Sequence, residues 1–160
     1  MGTFLRTAAA VLILVLFHYS IRPALDWRAE VDFVVIALLI AGVRMRPGAA
    51  ALLGFALGLT ADALVPDAFG ASSMALSVIG YTASRLKAAF FADNLGLNAL
   101  FFFAGKWAFD LIYLAVEREL GGSGLIVQMF LWSPLSAAVT AVAGVVLLLL
   151  FKPLLEPGAT

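Results

Sequence analysis

Few side chains in this chain are able to do chemistry, and most of them stand inside apolar stretches: Asp62, Lys106 and Asp110, the single histidine His18, and the neighbouring serines Ser72 and Ser73. A charge near mid-membrane costs ~2.5–3.5 kcal/mol on insertion scales, so ionisable residues at such positions are expected to find partners. Lys106 and Asp110 lie one turn apart on the same helix face and can neutralise each other, although Lys-first is the weaker order for an i,i+4 pair. Counted at ~1.5 Å rise per residue from helix starts near Pro47 and Leu95, Asp62 lies ~22 Å up, Lys106 ~17 Å and Asp110 ~23 Å. These overlapping heights predict one buried polar cluster of Asp62, Lys106 and Asp110 facing the bundle interior. The alternative leaves Lys106 with Asp110 on their own helix and Asp62 facing water at the outer end. With no cysteine and one histidine, thiolate chemistry is excluded and an imidazole metal cluster has no basis, so no metal and no cofactor is expected. His18 reads as an interfacial polar tip beside Tyr19.

The elements that position these residues follow from composition. In 160 residues, 64% are hydrophobic and 12% charged, with mean hydropathy +1.08. Too few polar side chains exist to cover a water-facing globule, so the sequence predicts an all-α, polytopic integral membrane protein in a single transmembrane domain. About six helices are expected, at 4–21, 31–44, 47–65, 70–88, 95–116 and 134–152, with 125–132 too short to cross and read as an interfacial or re-entrant segment. The first is a retained helix rather than a cleaved signal, because His18 to Arg22 offers no small-x-small cleavage site and further apolar spans follow. The second is only long enough for a short or partly protein-shielded span, and it buries Asp32 near the interface. Pro47 is a natural first-turn residue of helix three, and Ser133-Pro134 reads as an N-cap and first helical residue.

Small residues mark where helices meet closely. Ala50, Gly54, Gly58 and Asp62 recur every fourth residue on helix three, and Ser73, Ser77, Gly80 and Ser84 lie on one side of helix four. Missing side chains let backbones approach, so these faces are expected to pack together or to receive a partner subunit. Orientation follows from the basic residues. With a cytoplasmic N terminus, Arg6, Arg44, Arg46, Arg85, Lys87 and Lys152 fall inside and only Arg22, Arg28 and Arg118 outside, six against three, which predicts both termini in the cytoplasm. No basic block suited to nucleic acid is present.

The order Arg46-Pro47, Gly54-Phe55, Gly58-Leu59, Asp62, Gly70, Leu76 and Gly80-Tyr81, in a chain of this length, resembles the rod shape-determining protein MreD family of bacteria. That resemblance implies a non-enzymatic scaffold in the bacterial inner membrane, within the machinery that elongates lateral peptidoglycan. It implies direct binding to the bitopic protein MreC, in a complex that also involves RodA with a class B penicillin-binding protein and the actin-like MreB. It further implies a helical core similar to the substrate-binding subunits of energy-coupling-factor transporters.

Two other function classes compete with a scaffold. A transporter substrate-binding subunit needs an outward pocket with converging polar groups and paired alanines at four-residue spacing on helix one, whereas Ala8-Ala9-Ala10 is followed by Leu12, Ile13 and Leu14. An intramembrane serine hydrolase needs a base within hydrogen-bond reach of its nucleophile. Gly70-Ala71-Ser72-Ser73 is a weak match to such a motif, since His18 precedes the serines and Lys106 is better explained by Asp110 or Asp62.

Overall fold

The computed structural model describes residues 2–21, 31–64, 68–86, 94–117 and 126–155. Among them six α-helices follow in order, with no strand: α1 Gly2–Ile21, α2 Phe33–Gly42, α3 Pro47–Asp62, α4 Ala71–Arg85, α5 Leu95–Glu117 and α6 Ser133–Leu155. Residue 65 of the expected third helix, residues 87 and 88 of the fourth and Leu125 lie outside the described residues, as do Arg22, Arg28, Lys87 and Arg118.

The organising element is the shortest. α2 has ten residues, FVVIALLIAG, and every one from Val34 to Gly42 is buried. At ~1.5 Å per residue it is only about 15 Å long, half of a ~30 Å hydrocarbon core. It persists because it packs on all five of the other helices. A helix apolar on every side has no preferred face and is stable only where protein or lipid surrounds it completely. Asp32 caps it, accepting the Val35 N–H through Oδ1 at 3.1 Å.

The closest approach in the bundle is between α3 and α4, which run antiparallel. A Cβ on Gly54 would stand 2.6 Å from the Leu76 carbonyl carbon, one on Gly58 2.6 Å from that of Ser72, and one on Gly80 2.9 Å from that of Ala50. Backbone therefore lies on backbone along the whole hairpin, and each step of four residues up α3 is matched by a step of about four down α4. Packing of this kind replaces the hydrophobic drive that lipid does not supply.

Among the described residues, α5 and α6 are long and apolar enough to cross a membrane, over Leu95–Val116 and Gln128–Leu150. The second of these departs from expectation. Ile126 and Val127 are already helical and Gln128–Trp132 is a π-helical turn that runs straight into α6. Residues 126–132 are therefore the first turns of the last helix rather than a separate interfacial piece, and Ser133 is an interior helical residue rather than an N-cap. The physical reason is Pro134. Within a helix its ring has no N–H to give and crowds the carbonyl four residues back, and the wider π turn just before it accommodates both defects without ending the helix.

Candidate functional site

Two buried polar centres stand in this frame. The first is Asp62, 1% exposed at the last residue of α3. Its Oδ1 accepts the Ser72 N–H at 2.9 Å, and its Oδ2 accepts the Ser73 N–H at 3.0 Å and the Ser73 hydroxyl. These are the second and third residues of α4, whose N-cap position is Gly70. An N-cap side chain ordinarily satisfies those two N–H groups, but glycine has none to offer. Gly70 is there because its φ is +97°, a left-handed conformation that costs other L-residues roughly 1–2 kcal/mol. Asp62 supplies the missing cap from the neighbouring helix, and the positive end of the α4 dipole compensates its charge.

The second centre joins four helices. Lys106 Nζ on α5 donates to Asp110 Oδ1 at 2.6 Å and to Asp32 Oδ2 at 3.2 Å. The Ser133 hydroxyl donates to Asp110 Oδ2 at 3.0 Å, and the Asp32 N–H donates to the Thr140 hydroxyl at 3.2 Å. His18 Nδ1, buried on α1, lies 3.9 Å from Asp32 Oδ1. The ammonium also stands 4.8 Å from the centre of the Phe109 ring. Side-chain exposure of 8% for Lys106, 15% for Asp32 and 14% for Asp110 takes all three charges out of bulk solvent. Lys106 thus bridges two carboxylates, and through them ties α1, α2 and α6 to α5.

The expected cluster of Asp62, Lys106 and Asp110 is corrected by this geometry. Lys106 and Asp110 do meet, but the second carboxylate on Lys106 is Asp32, and Asp62 is spent on Ser72 and Ser73. Equal height along the bundle axis is not lateral proximity: α3 packs on α4 and α2, and those two pack on α5. Asp32 reaches Lys106 because α2 is short. A helix of about 15 Å puts its N-cap at nearly the same depth as Lys106, which lies ~17 Å along α5 from Leu95. Asp32 was readable as a cap preceding an apolar run, and the short run was the signal of its depth. Ser133 and Thr140 gave no signal, since their role depends on α6 continuing through Pro134.

The small residues Ala50, Gly54, Gly58, Ser73 and Gly80 are buried between α3 and α4, with Ser77 half-buried and donating to the Ser73 carbonyl at 2.7 Å. That face is filled by the chain itself. Of the remaining motif residues, Pro47 opens α3, Phe55 faces outward, and Arg46 and Tyr81 are exposed at the end opposite the two polar centres. Tyr81 Oη accepts a bond from Arg85 Nη2 at 3.0 Å. Chemically, the Ser73 hydroxyl donates a hydrogen bond to a carboxylate that is already holding a helix start, and the lysine is neutralised by two aspartates. Both arrangements fasten helices together.

A family model described as rod shape-determining protein MreD matches residues 1–156 of the chain. No curated protein and no solved structure matches it, so the expected likeness to energy-coupling-factor subunits rests on the family resemblance alone.

Proposed function

The chain belongs to the rod shape-determining protein MreD family, and from that membership we propose that it is a non-enzymatic, multi-pass scaffold of the cytoplasmic membrane that binds MreC and supports lateral peptidoglycan synthesis. The observation that carries the reading is the family match over nearly the full chain. The polar geometry supports it: the ionisable groups of both centres are engaged with helix starts or with each other, as a rigid support needs, rather than converging on a reacting atom. RodA with a class B penicillin-binding protein and MreB belong to the same proposed machinery. The six-to-three distribution of basic residues supports cytoplasmic termini in this reading.

Because α3 and α4 use their small residues on each other, a partner helix has to dock on an outward apolar surface. Leu12 on α1, Leu52 on α3 and Val142 on α6 are exposed apolar positions on three different helices. Co-purification with MreC from detergent, followed by crosslinking from a photoreactive residue at each of these positions, tests the proposal. MreC is expected in the eluate, with crosslinks confined to one or two of the three surfaces. Absence of MreC from eluates of folded protein, in several detergents and in the native membrane, would remove it.

A further inference from the structure

The carboxylates and the arginines of the described residues lie at opposite ends of the bundle, with Lys106 among the carboxylates. Asp32, Asp62 and Asp110 all belong to the polar centres, in the half of the bundle where α1 and α3 finish. The opposite end carries Arg6, Arg44, Arg46 and Arg85 and, among the described residues, no carboxylate. Lys152 near the end of α6 is a further cation, and the sequence adjoining these helices holds Lys87 against Asp93 and Glu156.

Two of these arginines flank one contact between helix ends. Ser84 Oγ donates to the Met45 carbonyl at 2.7 Å, which fixes the end of α4 against the loop between α2 and α3. Arg85 and Arg46 are the residues next to that bond. The loop is itself stiff, with the Arg44 N–H on the Ala41 carbonyl at 3.0 Å and the Met45 N–H on that of Gly42 at 3.2 Å. Arg85 is oriented by Tyr81, whose hydroxyl accepts one of its N–H groups and whose ring lies 5.4 Å from the guanidinium carbon. Both arginines are exposed, and neither forms an ion pair with a described carboxylate. Leu86, just beyond Arg85, is an exposed apolar side chain, and the Tyr81 ring is exposed as well.

We propose that Arg46 and Arg85, with Tyr81 as the residue that orients Arg85, form a binding site for the headgroup of an anionic phospholipid. Guanidinium groups match phosphate oxygens with paired N–H donors, and two cations flanking one packed contact, neither paired with a described carboxylate, draw an anion between them. A lipid rather than a soluble phosphate is the fitting ligand, because exposed Leu86 and the Tyr81 ring stand beside Arg85 and give acyl chains an apolar support. The site is independent of any contact with MreC.

The test is native mass spectrometry of the full-length chain, titrated with phosphatidylglycerol and with phosphatidylcholine of identical acyl chains. One basic residue near an anionic surface is worth about fivefold in affinity, so the wild type should retain phosphatidylglycerol over phosphatidylcholine by roughly 25-fold. Arg46→Gln and Arg85→Gln should each reduce that preference about fivefold and together abolish it. Arg6→Gln, at the same end but on α1, should leave it unchanged. Inorganic phosphate at the same concentration should not displace the lipid. Melting followed by tryptophan fluorescence reports whether each variant is folded, and if the double variant is not, the single variants decide. Equal retention of the two lipids by the wild type, a preference that survives in folded single variants, or displacement by inorganic phosphate overturns the site.

Discussion

Replacing Lys106 by methionine in three backgrounds separates the two polar centres energetically. Lys106 is the cation shared by two carboxylates, at 2.6 Å from Asp110 and 3.2 Å from Asp32, with its side chain 8% exposed. Lys106→Met keeps most of the length of the side chain but leaves both carboxylates buried without their cation, and breaking a buried pair in this way costs ~3–5 kcal/mol. In an Asp32→Asn background one of those charges is already gone. The second substitution should then cost less, with a coupling of about 1–2 kcal/mol, inside the range for residues in direct contact. In an Asp62→Asn background the lysine should cost what it costs in the wild type, within ~0.5 kcal/mol, because Asp62 belongs to the α4 cap. Asp62→Asn is itself destabilising by about 1–3 kcal/mol, since an amide offers one acceptor oxygen where Ser72 and Ser73 present two N–H donors and a hydroxyl. Reversible unfolding in mixed micelles at fixed detergent fraction measures all four free energies. Coupling of Lys106 to Asp62 rather than to Asp32 would refute the assignment of the two centres.

Gly58→Ala should destabilise the bundle by more than Leu52→Ala in the same assay, because the added Cβ meets the backbone of Ser72 and Ser73 while Leu52 is 71% exposed; equal melting of the two variants would contradict the backbone contact. For topology, a periplasm-active reporter joined after Gly122 should be active and one joined after Met45 inactive, and the reverse pattern would invert the proposed orientation.

The parts of this architecture legible in the sequence are those fixed by spacing along one helix. Ala50, Gly54 and Gly58 recur at the period of a helical face, and the small side of α4 answers them, so the hairpin could be read from residue types. Lys106 and Asp110 were legible for the same reason. What depends on the lateral arrangement of helices was not. Height along the axis predicts that Asp62 can meet Lys106, yet it carries no information about which helix stands between them. The bridging role of Asp32 needed the depth of α2, a helix whose uniform apolar sequence has no periodicity to show where it sits. The continuous last helix was hidden by Ser133-Pro134, a pair that elsewhere starts a helix and here follows a π turn inside one.

The burial of α2 on every side also bears on how the chain is made. A segment of ten apolar residues is too short to be held by lipid on its own, and its surroundings are delivered piecemeal as synthesis proceeds. α1 is present before it, α3, α4 and α5 arrive after it, and α6 comes last, bringing the Thr140 hydroxyl that receives the Asp32 N–H and the Ser133 hydroxyl that completes Asp110. A nascent chain that stops short of α6 therefore leaves the central helix with an open flank and its polar end incompletely bonded. Closure of the innermost helix waits on α6, the last of the described helices to be synthesised.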